Sequence, residues 1–163
     1  MARPAPFVGR SEVGPSSKWV TRACIRVNRM ATAWLIRRFI DPAAIFLFVG
    51  PDEVAAVQER EGATGFDAPG ATYPHRDAEG RCSFEALVDR YRPDDAALQE
   101  IACIVHGADF AEEMRLVPES AGLRAISGGV PLVARDDHEI LERAGFLYDA
   151  LYASVKARLG ARG

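Results

Sequence analysis

Three histidines and their neighbouring carboxylates are the residues of this sequence best suited to metal or acid–base chemistry. His75 lies in a stretch rich in Gly and Pro, His106 and Asp109 form an H-x-x-D pair, and His138 follows Asp137. On a helix, a spacing of three places His106 and Asp109 on one face. Imidazole and carboxylate groups are ligands for Fe, Mn and Zn. The sequence therefore predicts a metal site built from His75, His106, Asp109 and either Asp137 or His138. The first three are also the candidate catalytic residues.

Three of these residues also have an ordinary structural interpretation. Asp137 comes at the start of a predicted helix, where a carboxylate interacts favourably with the helix dipole. His138 is compatible with a surface position. His106 has apolar neighbours, and a histidine in that setting is commonly a hydrogen-bonded core residue.

Basic residues are concentrated in residues 18–40, which contain six Lys or Arg and no acid. Several of them lie near the start of a predicted helix, where free N–H groups also favour an anion. Guanidinium groups present paired donors that fit a carboxylate or a tetrahedral oxyanion. The alternative is a solvated face, or pairing with the acidic remainder of the chain. The residues predicted to contact an anion are Arg22, Arg29, Arg37 and Arg38.

The overall charge hides an asymmetry between the two parts of the chain. The 163 residues include 20 Lys and Arg and 23 Asp and Glu, giving −3, yet residues 1–50 hold eight basic and two acidic residues. This distribution argues against a uniformly basic nucleic-acid binder, so we expect a small anionic ligand and no direct nucleic-acid binding. The longest apolar run, 43–50, is too short to cross a bilayer, so no membrane association is expected.

Three cysteines fit neither a disulfide framework nor a C-x-x-C metal motif. This sparse, odd number predicts reduced thiols and a cytoplasmic location. Cys82 lies between Arg81 and a predicted helix start, a setting that can lower a thiol pKa and support redox or nucleophilic chemistry. Cys24 and Cys103 have apolar neighbours, which predicts core positions.

Periodicity and capping signals predict a mainly α (α+β) fold, a compact helical domain with a few short strands. Residues 1–17 are expected to form a flexible tail and 18–163 a single domain. The long irregular stretch 62–82 is expected to be functional. The apolar face of the last helix could also form a homodimer. The predicted elements are strands at 18–22 and 45–49, a helix capped by Asn28 and stopped by Asp41-Pro42, and helices over 52–61, from Ser83 to Tyr91, from Asp94, from Pro118 to Gly128-Gly129, and from Asp136 to Leu159.

Several blocks of sequence, in order along the chain, resemble the C-terminal domain of the chromate-resistance protein ChrB. They cover about residues 18–153. The blocks are Lys18-Trp19-Val20-Thr21-Arg22, the segment Asn28 to Pro42, Gly62-Ala63, Phe66-Asp67, His75, Cys82-Ser83-Phe84, Val105-His106-Gly107-Ala108-Asp109, Gly122-Leu123, Asp136-Asp137-His138 and Tyr148-Asp149-Ala150-Leu151-Tyr152.

The resemblance implies a role connected with chromate resistance, because full-length members of the family are chromate-responsive regulators with a further N-terminal domain. The family pattern in the first helix is Asp-Arg-Ile-Ala-Cys-Pro-Trp, where this chain has Asn28, Thr32 and Ala33 in place of the acid, the thiol and the proline. Our leading hypothesis is a metal-dependent enzyme that contains Fe, Mn or Zn and acts on a small anionic compound. The alternative is a non-catalytic oxyanion-sensing or regulatory module.

Overall fold

The computed structural model describes residues 17–162, with side chains included except at 114–116. The expected fold class, mainly helical α+β with few short strands, is confirmed. Of the predicted tail, only residue 17 lies within the described part of the chain. The elements, in chain order, are β1 (Lys18–Arg22), α1 (Val27–Leu35), a π-helical turn (Ile36–Ile40), β2 (Ile45–Val49), α2 (Val54–Glu61), β3 (Thr64–Gly65), α3 (Ser83–Tyr91), α4 (Ala96–Asp109), a 3₁₀ segment (Ala111–Leu116), α5 (Pro118–Val133) and α6 (Asp137–Gly160).

The three strands form one parallel sheet in the order β2–β1–β3. Trp19 and Val20 are adjacent in β1 and therefore point to opposite faces of the sheet. Trp19 belongs to the large helical core, whereas Val20 packs in a smaller cluster with Val54 and Val57 of α2. Both faces are thus covered, as expected for parallel strands. The strands at 18–22 and 45–49 are confirmed; β3 was missed because two residues carry no detectable alternation.

Helix α1 is the centre of the domain, and all nine of its residues are buried. The Trp34 ring stacks on Tyr148 at a centroid distance of 5.6 Å, and its Nε1 donates to Asp149 at 2.9 Å. At the other end of the helix, the Tyr148 hydroxyl donates to the Val27 carbonyl at 3.0 Å. Contacts with α6 therefore hold α1 at both ends, which fixes the positions of the side chains at its N-terminus.

Three helices begin at residues other than the expected caps. The N-cap of α1 is Arg26 and not Asn28, and that of α3 is Cys82 and not Ser83. Asn28 and Ser83 are instead buried between helices, where the Ser83 hydroxyl donates to Asn28 Oδ1 at 3.3 Å. Tertiary hydrogen bonding has therefore overridden the local capping signal. In α4 the cap is Asp95, one residue after the expected Asp94.

Helix α5 does not end at Gly128-Gly129 as expected but continues to Val133. A glycine ends a helix when it adopts a left-handed conformation, and neither of these glycines has a positive φ. Helix α2 does end as expected, because Gly62 is left-handed with φ of 60°.

The last helix matches its predicted range to within about one residue. Its apolar face packs into the core of the same chain, and this includes Ile140, Leu141, Ala144, Tyr148 and Val155. No helix within residues 17–162 is both long and apolar enough to span a membrane.

Cys24 and Cys103 are exposed, so the expectation that they fill the core is wrong. Cys24 lies outside the regular elements, in the turn between β1 and α1, and has a positive φ of 59°. Cys103 lies on α4. Apolar neighbours in sequence are a poor guide to burial on a helix, where adjacent residues point in different directions.

Asp137 fastens the start of α6 to the turn between β1 and α1. Its two carboxylate oxygens accept hydrogen bonds from the backbone N–H groups of Cys24 and Ile25, each at 2.9 Å. We expect Asp137→Ala to lower the free energy of unfolding by about 2 kcal/mol, since bonds to a charged acceptor are lost and two donors are left unpaired. Denaturant unfolding measures this, with Glu142→Ala, an exposed change on the same helix, as the control. Equal stability of the two variants would contradict the structural role.

Candidate functional site

The loop after β3 holds Asp67 against the central strand. The Phe66 N–H donates to Val20 O at 3.0 Å, and the Thr21 hydroxyl donates to Phe66 O at 2.6 Å. Asp67 itself has a φ of 50°, a left-handed conformation that aspartate tolerates, and its N–H donates to Tyr73 O at 2.7 Å. The Asp67 side chain is consequently positioned by the sheet and is only 2% exposed.

The Asp67 carboxylate is contacted by three cationic or ionisable side chains. Arg29 Nη1 donates to Oδ2 at 3.0 Å, and Arg22 Nη2 lies 3.4 Å from Oδ1. His75 Nδ1 lies 2.7 Å from the same Oδ1. This hydrogen bond raises the pKa of His75, although partial burial opposes it. Residues from β1, α1 and the long loop therefore meet at one buried carboxylate.

Asp109, the last residue of α4, supplies a second carboxylate to this group. Its Oδ2 lies 3.6 Å from His75 Nδ1 and is buried without a hydrogen-bond partner. Burial, reinforced by the charge of Asp67, raises the pKa of Asp109 to about 6. Asp67, His75 and Asp109 each offer a ligand atom, and these three atoms lie within 4.8 Å of one another. We call these three residues the first ligand group.

A cavity of about 640 Å³ opens beside the first ligand group. Two buried donors in its lining residues, Asn28 Nδ2 and Arg29 Nε, have no hydrogen-bond acceptor within the described residues. Unpaired buried donors are costly, and an anion would satisfy them. We call this space the arginine cavity because four arginines line it: Arg22, Arg26, Arg29 and Arg76.

His106 does not join His75 and Asp109 in one site. Its Nδ1 lies 2.7 Å from Glu85 Oε2 and its Nε2 lies 2.5 Å from Glu113 Oε2. Burial opposes the imidazolium, but these two carboxylates outweigh that effect and raise the pKa of His106. Together with Cys82 and Glu85, His106 forms a second ligand group, again with ligand atoms within 4.8 Å of one another.

The remaining predicted site residues lie elsewhere. Arg37 and Arg38 line a different cavity of about 200 Å³, which shares no lining residue with the arginine cavity. Arg38 Nε lies 3.4 Å from Asp149 Oδ1 in that region. Asp137 binds backbone N–H groups, and the His138 ring contacts Phe48 at a centroid distance of 5.0 Å. Neither Asp137 nor His138 belongs to a ligand group within the described residues.

Cys82 departs from the low-pKa thiol suggested by its sequence context. Its side chain is fully buried, and burial together with the nearby Glu85 carboxylate raises the pKa of the thiol well above its ordinary value. Arg81 does not offset this, because its guanidinium is paired with Asp77 and Asp89. The expectation of an activated free thiol is therefore wrong.

Sequence reasoning missed Asp67, Glu85 and Glu113 as site residues. Asp67 belongs to Phe66-Asp67, one of the blocks that resemble the ChrB C-terminal domain. Its burial beside two arginines depends on the sheet, so the local sequence contains no indication of it. Glu85 forms a capping box with Cys82, three residues before it, but the cap was expected at Ser83 and so this spacing was not detected.

Comparison with known proteins agrees with the resemblance in the sequence. The family model for the ChrB C-terminal domain matches residues 19–155. The chain belongs to this family. It is 37% identical over 136 residues to Protein ChrB of Cupriavidus metallidurans, covering 83% of this chain. The chain spans 40% of the length of that relative. None of the solved structures gives a significant match.

The two ligand groups and the arginine cavity all fall inside the region matched to the ChrB C-terminal domain. Two of the departures from the family pattern lie beside the cavity. Asn28 lines the cavity, and the Thr32 hydroxyl donates to Asn28 Oδ1 at 3.2 Å. In this member of the ChrB family, a neutral amide therefore lies in the cavity lining at the position of Asn28.

The raised pKa of Asp109 predicts a pH-dependent stability cost in metal-free protein. The folded state binds the proton of the Asp109 carboxyl group more tightly than the unfolded state does. The resulting stabilisation of the folded state is fully present below pH about 4 and is lost as the pH rises through about 6. Asp109→Asn should therefore gain stability relative to wild type over this interval, by about 3 kcal/mol at the upper plateau. The groups facing Asp109 are Asp67, His75, Arg29 and Arg22.

Urea unfolding of chelator-treated wild type and Asp109→Asn between pH 4 and 8 measures this difference. Asp136→Asn, at the exposed start of α6, is a carboxylate-to-amide control for which the same trend is not expected. A stability difference between wild type and Asp109→Asn that does not change with pH would contradict the prediction.

Proposed function

We propose that this ChrB C-terminal domain binds a divalent Fe, Mn or Zn ion at the first ligand group and a small anionic compound in the arginine cavity, and acts on that compound as an enzyme. The observation that supports it best is Asp109 Oδ2, a buried carboxylate oxygen with no hydrogen-bond partner, within 4.8 Å of the ligand atoms of Asp67 and His75. One imidazole and two carboxylates suit these metals. The ligand set thus differs from our expectation by including Asp67 and omitting His106, Asp137 and His138.

Charge balance supports an anion beside the metal. Four arginines and two carboxylates line the cavity, and Arg76 is also paired with Glu113 outside the lining, which leaves an excess of one positive charge when His75 is neutral. A divalent cation would add two more. A small dianionic ligand lowers the Coulomb energy of such a site, and arginine donors suit oxyanions. The partial neutralisation of Arg22 and Arg29 by Asp67 also favours a small ligand over a nucleic acid.

The bound metal would polarise an oxygen atom of the substrate. The protein's own residues supply the remaining functions. The arginine cavity would orient the anion, and a metal ion at this site would displace the proton of Asp109, whose pKa in the metal-free protein is about 6. His75 is hydrogen-bonded to Asp67, which holds its ring in position beside the other ligand atoms.

A non-catalytic oxyanion sensor is the second candidate function. The unpaired donors Asn28 Nδ2 and Arg29 Nε favour it, because they could hold an oxyanion without any turnover. The resemblance to chromate-resistance proteins makes chromate the first anion to test. We place both candidate functions in the cytoplasm, in keeping with the free cysteines.

Metal binding at the first ligand group is tested by elemental analysis of the purified protein. We expect His75→Ala and Asp109→Ala each to lose about one metal equivalent per chain relative to wild type, because a site with two remaining ligands binds weakly. His138→Ala should retain the wild-type content, since His138 lies on Phe48. If both variants are folded and have the same metal content as wild type, the proposed site is contradicted.

Anion binding is tested by titration with chromate, sulfate and phosphate. Arg26→Ala removes an exposed cavity arginine without unpairing Asp67, and we expect it to weaken binding about tenfold, the usual effect of losing one charge-assisted bond. Arg37→Ala, which changes the other cavity, is the matched control. Equal affinities of the two variants would place the anion outside the arginine cavity.

A further inference from the structure

The second ligand group brings together three different metal-binding side chains that the proposed function leaves unused. Cys82 precedes α3, Glu85 lies in its first turn, and His106 lies on α4. One sulfur, one carboxylate oxygen and one imidazole nitrogen lie within 4.8 Å of one another. None of these residues lines the arginine cavity.

Local structure explains why the thiol and the carboxylate are neighbours. Glu85 Oε2 accepts a hydrogen bond from the backbone N–H of Cys82 at 2.7 Å, closing a capping box at the start of α3. Packing of α3 against α4 then brings His106 Nδ1 to 2.7 Å from the same Glu85 oxygen. The three groups are held by two packed helices, and such rigid elements give a ligand set a defined geometry.

Glu113 completes the arrangement from the opposite side of the imidazole. Its Oε2 lies 2.5 Å from His106 Nε2, and its Oε1 accepts from Arg76 at 2.5 Å. Metal-binding histidines commonly donate their second ring N–H to a carboxylate, which fixes the tautomer and the orientation of the ring. With Nε2 bound to Glu113, Nδ1 is the nitrogen directed toward Cys82 and Glu85.

We propose that Cys82, Glu85 and His106 form a second metal site, specific for a borderline-soft divalent cation such as Zn²⁺, with Glu113 as a positioning residue. Three protein ligands of this kind leave a fourth tetrahedral position open. The sulfur ligand separates this site from the first ligand group, which has only oxygen and nitrogen donors and suits harder metals. The cation takes the place of the proton on the buried Cys82 thiol.

The two ligand groups are close but separate. The Phe110 ring contacts His75 at a centroid distance of 5.3 Å and His106 at 4.7 Å, and the Arg76 guanidinium lies 4.2 Å from the same ring. No ligand residue is shared between the groups. Each group can therefore be removed by substitution without deleting a ligand of the other.

Cobalt substitution tests the second site, because only a thiolate ligand gives an intense sulfur-to-cobalt charge-transfer band in the near ultraviolet. Reduced, chelator-treated protein is titrated with Co²⁺, and wild type is expected to develop this band at saturation. Cys82→Ser should lose it while keeping a good helix cap. Cys103→Ser and Cys24→Ser, which alter the exposed cysteines, are the matched controls and should retain it.

Two further variants distinguish this proposal from the proposed function. His75→Ala removes a ligand of the first group only, so the thiolate band should persist even if that group binds no metal. Glu113→Gln should keep the band but weaken Co²⁺ binding by about 10- to 100-fold, the usual effect of losing such an orienting partner. Circular dichroism confirms that each variant is folded.

Absence of the band in folded wild type would overturn the second site, leaving His106 as a hydrogen-bonded link between Glu85 and Glu113. Persistence of the band in Cys82→Ser would also overturn it, by assigning the thiolate to another cysteine. Displacement of Co²⁺ by Zn²⁺ with loss of the band would support the proposed preference for zinc.

Discussion

The buried carboxylate of Asp67 is the interaction on which both the fold and the candidate site depend. It receives Arg22 from the central strand, Arg29 from the central helix and His75 from the long loop. Removing one partner of a buried ion pair leaves an uncompensated charge, which commonly costs about 3–5 kcal/mol. Since these partners come from three separate segments, the same carboxylate that orders the loop also sets the geometry of the site. Asp67 thus connects the parallel sheet directly to the chemistry at its edge.

Asp109 shows the opposite situation, a buried carboxylate without a hydrogen-bond partner for one oxygen. Burial and the neighbouring charge of Asp67 destabilise its ionised form and raise its pKa to about 6. A residue chosen only for stability would be apolar or fully hydrogen-bonded at this position. Asn28 and Arg29 likewise carry buried donors without acceptors beside the same cavity. Unsatisfied acceptors and donors at one place are the pattern expected of a site that binds a cation and an anion together.

Much of this fold could be predicted from local sequence, whereas the grouping of site residues could not. The strands at 18–22 and 45–49 and the last helix follow from periodicity and capping signals, and the family resemblance is carried by colinear blocks. Asn28 and Ser83 were expected at helix caps but bond to each other in the core, a contact between residues 55 positions apart. Asp67 was overlooked for the same reason, because its two arginines belong to other elements. Long-range pairing leaves no periodic signal in one sequence.

The H-x-x-D pair illustrates how a correct helical spacing can still mislead about a site. Residues three apart on a helix differ by about 60° in direction and about 4.5 Å along the axis. That offset suffices for His106 to face Glu85 and Glu113 while Asp109 faces His75 and Asp67. The Phe110 ring, which immediately follows Asp109, contacts both histidines. The helix therefore presents two adjacent ligand groups of different chemistry, one with oxygen and nitrogen donors and one that includes sulfur.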